Sequence, residues 1–304
     1  MRLAAFQWLS EQTQIHGEVL PRNVLERGFD LDGHRVPLIS PQGIFKPKVL
    51  PELPLTITTT PKGPYDDKMG GNDLVQYKYR GKDPDHPDNR GLRQAMRLQT
   101  PLIYLHGFIP GKYMPIWPVF VVGDNPAMHE FSIAVDEPST ISKYTEHEPQ
   151  HTYLVDEGDA GRRSYITIQA RKRLHQEGFR ERVLAAYREQ CALCRLRHKR
   201  LLDAAHIIPD SEEGGEAVVS NGLSLCKLHH AAFDNFFLGI RPDFVIEIRG
   251  DLLKEEDGPM LLHGLQGLHG KQILIPRERE LRPSENRLES KYEKFLASLD
   301  FHRP

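Results

Sequence analysis

The sequence predicts an α+β protein of two domains, and three observations carry that prediction. Residues 43–136 alternate β-branched and aromatic runs with Gly and Pro, interrupted by a single helical pattern. Residues 136–162 then turn polar, with Pro, Gly and many carboxylates, as a linker or decorated loop does. Beyond them, the stretch from Cys191 to Ile240 holds all 3 cysteines of the chain and an unusual density of histidine. The first domain is assigned to residues 1–160 (a helical lead-in over 1–45, linker-like over 136–162) and the second to 161–304. At 304 residues the chain is long enough for each domain to bury its own core. With 39% hydrophobic and 27% charged residues it has ordinary globular composition, and no apolar run reaches the roughly 18 residues of a membrane span. MRLAAFQWLSEQTQ lacks the apolar segment of a secretion signal, and a few cysteines committed to metal suit a reducing cytoplasm, which is the expected location.

In residues 1–45, Ala4, Phe6, Trp8 and Leu9 lead to Val19-Leu20, and Pro21 stands at a helix start followed by Val24 and Leu25. One or two short helices and a turn bracketed by Gly28 and Gly33 are expected, with no chemistry committed. Strands are expected at LPLTITTT (53–60), LVQYKY (74–79), PLIYLHGF (101–108), IWPVFVV (116–122) and EFSIAV (130–135), and a helix at NRGLRQAMRLQ (89–99). That set suggests a compact β-barrel-like domain.

Within it, GPYDDKMGGNDLVQYKYRG (63–81), the 89–99 helix and the PLIYL strand resemble the SRA/YDG fold of modified-base readers. That fold carries a Y-(E)-D-D segment, a Gly-polar turn, a Y-x-G strand end, and a helix before an apolar strand. Tyr65-Asp66-Asp67 and Tyr79-Arg80-Gly81 occupy those places in order, with one residue fewer in the first segment and a longer loop after it. The resemblance implies an extruded base stacked on Tyr65 and Tyr79, its Watson–Crick edge bonded by Asp67. Lys78, Arg80, Lys82, Arg90 and Arg93 would then meet phosphates. By residue type alone the tyrosines serve equally as half-core strand residues, and Asp-Asp before Gly-Gly as a turn.

His129, His147 and His151 lie among carboxylates without ligand spacing and are taken as surface. Tyr165–Ala170 is expected as a short strand. Lys172–Gln190 is expected as an amphipathic helix (Leu174, Phe179, Val183, Leu184, Tyr187) running into Cys191. Net charge is −2, which gives no global argument for nucleic acid. Lys and Arg nonetheless crowd residues 171–200, with Arg195, Arg197, Lys199 and Arg200 as candidate phosphate contacts. On charge alone the same stretch serves as a solvated helix face.

Cys191-x2-Cys194 is one ligand pair and Cys226-x2-His229 a second. Together they form a Cys3His set, which suits structural Zn2+ and leaves no cysteine over. An isolated CxxC would read equally as a redox pair. His206, Asn221 and His230 remain, set as AAHIIP, SNGLSLC and HHAAFD. That order, with its flanking hydrophobics and ligand pairs, resembles the HNH (ββα-metal) nuclease family over roughly residues 176–250. The resemblance implies phosphodiester hydrolysis: His206 as the base that activates water, His230 as a ligand of a catalytic Mg2+ or Mn2+, and Asn221 fixing the loop and orienting the base. Asn221-Gly222 is also a turn signal in itself. Many family members carry Asp just before the first His, where this chain has Ala205; Asp203 on the strand or Asp234 one turn beyond His230 could supply that ligand. Asp234 reads equally as a helix-start hydrogen-bonding group and Asp203 as a strand-end charge. A strand at Phe244–Ile248, short elements at Met260–Leu268 and Gln272–Pro276, and a closing helix at Arg287–Leu299 complete the chain.

The expected protein is thus an SRA-like reader joined to a ββα-metal nuclease with a zinc knuckle: a metal-dependent endonuclease, most simply a restriction enzyme that cuts double-stranded DNA bearing modified bases such as 5-methylcytosine or 5-hydroxymethylcytosine. A double-strand cut by a single-site nuclease favours a homodimer, and no membrane partner is expected. Two other readings stand beside it. One is an HNH nuclease whose front domain reads unmodified sequence, a phosphorothioate backbone or RNA. The other is a non-catalytic zinc-containing nucleic-acid-binding protein, kept open by Ala205.

Overall fold

The apolar runs of the first half of the chain assemble into one seven-stranded sheet, seen in a computed structural model that describes residues 1–50, 53–60, 74–137, 157–256 and 258–300. The chain divides into two compact units, Met1–Leu174 and His175–Pro304. The first contains α1 (Arg2–His16), β1 (Leu20–Pro21), α2 (Arg22–Arg27), β2 (Phe29–Leu31), β3 (His34–Val36), β4 (Ile44–Phe45), β5 (Thr56–Thr59), β6 (Val75–Lys78), α3 (Pro87–Arg97), β7 (Leu102–Ile109), β8 (Lys112–Asn125) and β9 (Glu130–Val135). The sheet runs β4-β5-β7-β8-β9-β6, with β1 alongside β8. Among the described strands only β5 and β7 pair in parallel, which their separation by β6 and α3 permits.

β7 shows why its sequence is apolar without alternation. Leu102 and Tyr104 pack with Leu92 and Ala95 of α3, whereas Ile103 and Leu105 join a second core with Phe6, Leu9 and Leu25 of α1 and α2. A sheet covered on both faces selects continuous hydrophobic strands. The sheet also curls until its ends approach: the Tyr77 hydroxyl of β6 donates to the Thr58 carbonyl of β5 at 3.4 Å. Gly43 permits this approach, since a Cβ there would stand 3.1 Å from that hydroxyl. α3 starts where sequence rules place it, with Pro87 in its first turn and His86 Nδ1 accepting from the Asp88 amide at 3.1 Å.

Two local expectations need correction. The lead-in contains a β2–β3 hairpin as well as helices; Asp32 and Gly33 both take positive φ (51° and 77°), the two-residue turn that Asp-Gly favours. Tyr165–Ala170 is no strand but part of the helix α4 (Glu157–Ala186). Its β-branched run is carried along by helix-forming Arg, Lys, Gln and Glu on either side. Thr167, fully buried, donates its hydroxyl to the Arg163 carbonyl one turn back (2.7 Å) and accepts from the Val135 amide (2.8 Å).

The division between the units falls within α4. In the second unit follow β10 (Leu202–His206), β11 (Gly222–Cys226), α5 (Lys227–Asp234), β12 (Leu238–Ile240), β13 (Ile246–Ile248), α6 (Pro259–Gly264) and α7 (Glu285–Asp300). β10 and β11 are antiparallel, from Leu202 opposite Cys226 to His206 opposite Gly222, and α5 begins directly after Cys226. Phe179, Val183, Tyr187, Leu223, Leu225 and Phe233 form the core behind this ββα element. Among the described residues no helix is long and apolar enough to cross a membrane. Tyr65, Asp67, His147 and His151 lie outside the described residues.

Candidate metal centre and nuclease site

Cys191 and Cys194 sit on the turn after α4, Cys226 ends β11, and His229 occupies the first turn of α5. The ligand atoms of all four lie within 4.8 Å of one another. His229 Nδ1 is 3.4 Å from Cys191 Sγ and 3.1 Å from Cys226 Sγ, and the Cys194 and Cys226 sulfurs are 4.0 Å apart. Four donors each about 2.0–2.3 Å from one tetrahedral ion would be separated by roughly 3.3–3.8 Å, so the cluster fits zinc. His229 Nε2 lies 2.7 Å from the Gly264 carbonyl, a contact that keeps the proton on Nε2 and presents Nδ1 to the sulfurs. Burial works against charge on His229, but its contacts with Cys191, Cys226 and Gly264 prevail and raise its pKa to about 10. The same neighbourhood drives the Cys191 thiol far down, through hydrogen bonds from Cys194 and Cys226. Zinc would hold the turn, β11 and α5 together.

His206 ends β10, and its ring stacks on Phe179 of α4 with centroids 4.1 Å apart and 19° between planes. This stacking depends on Gly222, opposite His206 in the register. Gly222 is extended and its φ is −129°, so no turn requires glycine here. A Cβ at this position would stand 2.4 Å from Val183 Cγ2 and 2.9 Å from Phe179 Cζ, so its absence lets α4 close on the hairpin. His206 Nε2 is buried without a hydrogen-bond partner among the described residues, which leaves Nδ1 as the nitrogen able to meet a water. Burial holds the His206 pKa below the ordinary imidazole value, with smaller opposing influences from Asp210 and Asp234. The ring is therefore neutral and able to accept a proton at physiological pH.

Asn221 is fully buried and its side chain is spent on backbone. Oδ1 accepts from the Ile208 amide (2.9 Å), while Nδ2 donates to the carbonyls of Ile208 (2.9 Å) and Glu216 (3.1 Å). It clamps the chain leaving His206, and reaches the base only through that backbone.

His230 lies between two carboxylates. Its Nδ1 is 3.4 Å from Asp203 Oδ2 on β10, and its Nε2 is 3.2 Å from Asp234 Oδ2 one helical turn on. Asp234 is the main cause of a raised His230 pKa. Burial pushes Asp203 up, but Lys227 (2.7 and 2.6 Å to its two oxygens) and His230 outweigh it and hold the carboxyl below its usual range. One imidazole plus carboxylate oxygens is a donor set that Mg2+, Mn2+ or a similar divalent ion accepts. In this arrangement the two carboxylates address opposite ring nitrogens, so Asp203 would share an ion with Nδ1 and Asp234 with Nε2.

The candidate phosphate contacts divide. Lys78 pairs with Glu130 (2.7 Å), Arg80 with Asp88, and Lys199 with the buried Glu181 (2.5 Å). Arg195, Arg197 and Arg200 are exposed. In the first unit Tyr79 departs from an open stacking face: it is 1% exposed, its ring lies 4.6 Å from Phe131, and its hydroxyl donates to Asp124, which Arg93 also holds (2.7 Å). A cavity of about 190 Å³ lies between the curled ends of the sheet, bordered by Gln42, Thr58, Thr60, Tyr77, Tyr79 and Arg80.

Residues 191–241 match the family model described as HNH endonuclease. The chain carries an HNH endonuclease domain. No curated protein matches. Among solved structures, a "Modification dependent TagI restriction endonuclease" is 17% identical, with 93% of this chain and 89% of that one covered and a TM-score of 0.31. The "Type IV phosphorothioation-dependent restriction endonuclease ScoMcrA" is 13% identical over 60% of this chain and 54% of that one, with a TM-score of 0.20. The HNH match spans β10, β11 and α5 with both ligand pairs, so it coincides with the ββα element and its Cys3His cluster. Phe179, Lys227 and Asp210 act at this HNH site without having been singled out for it from sequence. Phe179 read only as an apolar helix position, and the pairing of Lys227 with Asp203 needs the hairpin register.

Proposed function

We propose that this protein is a metal-dependent DNA endonuclease that restricts double-stranded DNA carrying modified bases. The observation that carries the reading is the pairing of an unprotonated, stacked His206 with the His230–carboxylate group on one ββα element. His206 Nδ1 takes a proton from the attacking water, and the stack on Phe179 fixes the ring so that the nitrogen does not wander. Asn221 holds the backbone that follows the base. A divalent ion on His230, with Asp203 or Asp234, would supply charge stabilisation at the phosphoryl and leaving oxygens. Zinc on Cys191, Cys194, Cys226 and His229 would keep the elements in register.

A ββα element contacts mainly phosphate and discriminates little between sequences, so selectivity falls to the first unit. The cavity between the curled sheet ends supports a reader role. Thr60 on its rim is followed in the chain by the segment that bears Tyr65 and Asp67, the residues proposed to stack on the base and bond its edge. Neither tyrosine of the described strand end offers an open ring, since Tyr77 is buried as Tyr79 is, so the stacking role falls to Tyr65 alone. The protein is proposed to work in the cytoplasm.

His206→Ala tests the catalytic part. Removing a general base lowers the cleavage rate by ~10^2- to 10^4-fold, and plasmid nicking by the variant should fall by that much while DNA binding persists. Nicking unchanged in the variant would remove His206 from the mechanism.

A further inference from the structure

Arg287, Lys291 and Lys294 lie on one face of α7 at helical spacing. The outer two are neutralised by the loop after β10: Arg287 Nη2 meets Glu216 Oε2 at 2.5 Å and Lys294 Nζ meets Glu212 Oε2 at 2.5 Å. Lys291, between them, forms no ion pair among the described residues. Its Nζ stands 4.8 Å from the centroid of Phe233 and 4.8 Å from that of Phe236, beside the end of α5 that carries His230 and Asp234. Phe233 immediately precedes Asp234 in α5, so the ammonium stands beside the helix end that bears this carboxylate and, one turn earlier, His230.

A partly buried ammonium without a carboxylate partner is costly, and two phenyl faces return only about 0.5–2 kcal/mol. An apolar side chain would pack on Phe233 and Phe236 without that cost. Burial also holds the Lys291 pKa below the usual ammonium value. The charge is kept at this place although no carboxylate among the described residues lies within ion-pair distance of it, Asp234 and Glu212 acting only from farther off, and the ligand that a nuclease site brings to it is an anion.

We propose that Lys291 is a substrate-contacting residue whose ammonium binds a non-bridging phosphate oxygen of the DNA backbone at the His206–His230 site. The proposal rests on the nuclease reading above. The phenyl rings hold the ammonium in place so that it meets the phosphodiester with little side-chain ordering left to do. It adds to the electrostatic stabilisation there without being a metal ligand.

The test uses the full chain in a His206→Ala background, with a labelled duplex prepared with and without 5-methylcytosine, and salt as the variable. Lys291→Met keeps the contact with the rings and removes the charge; Lys291→Arg keeps the charge; Lys291→Gln serves if the Met variant does not fold. We expect Lys291→Met to weaken binding roughly tenfold. The slope of log affinity against log salt should also lose about 0.9, one phosphate contact, and Lys291→Arg should restore it. An unchanged slope in a folded Met or Gln variant, or no DNA binding by the parent, overturns the proposal. Failure of the nuclease reading shows separately, as no cutting of any duplex by the wild-type chain with Mg2+ or Mn2+, whereas continued cutting by the His206→Ala parent would remove only His206 from the mechanism.

Discussion

His206 is a neutral imidazole because it is partly buried on Phe179, and this gives its chemistry a pH signature. Burial lowers its pKa, so the base form persists below the ordinary imidazole range near pH 6.5. Cleavage should therefore stay flat as pH falls through 6.5 and decline only at lower pH; a rate–pH profile at saturating metal checks this, and an inflection above 6.5 would speak against His206 as the titrating base. The stability sign agrees. Protonating a histidine whose folded pKa is depressed favours the unfolded chain, so this site's contribution is present above the unfolded pKa and is lost as pH falls through the lowered folded value. Asp203 and Asp234 occupy opposite sides of His230, and single Asn substitutions should separate them: the carboxylate that shares the ion will raise the metal concentration needed for half-maximal cleavage, and the other will leave it near wild type. At this scale the sequence was legible wherever a residue's role follows from close neighbours in the chain. The Cys-x2-Cys and Cys-x2-His pairs come together as the spacing requires, because each pair sits on one tight turn. Tyr79 was not legible in this way. Its enclosure depends on Phe131 and Asp124, far along the chain, and alternation in β6 does not reveal which side is covered.

At the scale of elements, the ββα unit depends on two close approaches that glycine and sulfur make possible. Gly222 lies in a strand without needing positive φ, and the Asn-Gly turn signal missed its actual work of admitting Val183 and Phe179. Gly222→Ala should destabilise the second unit by about 1–3 kcal/mol through overpacking, seen as a lowered chemical-denaturation midpoint, and should loosen the His206 stack; a midpoint unchanged from wild type would contradict the packing account. Cys226 joins β11 to α5, so zinc bound there would fix where the helix that carries His230 begins. Cys226→Ser, or strong chelation, should release one zinc per chain by metal analysis and abolish the cooperative melting of this unit, since binding free energy at such sites is folding free energy. The α4 segment Tyr165–Ala170 marks the limit of local reading. Its Tyr-Ile-Thr-Ile pattern favours a strand, and only the flanking helix formers and the buried Thr167 hydroxyl decide for helix.

At the scale of the whole molecule, selection of the target is proposed to fall to the first unit and cleavage to the second. The nuclease unit was readable because its ligands and base are packed into one short stretch. The first unit was less so, because its cavity forms where β5 and β6, at distant positions in the sheet order, curl together, and no motif announces that closure. Lys291 lay in a helix that read only as a closing element, since its neighbours Phe233 and Phe236 come from another part of the chain. The most direct test of the division of labour is cleavage of matched plasmids with Mg2+ or Mn2+: unmodified, 5-methylcytosine, 5-hydroxymethylcytosine and phosphorothioate. Cutting confined to a base-modified substrate is the predicted result; equal cutting of all four would contradict the reader, and binding of all four without cutting would contradict the nuclease.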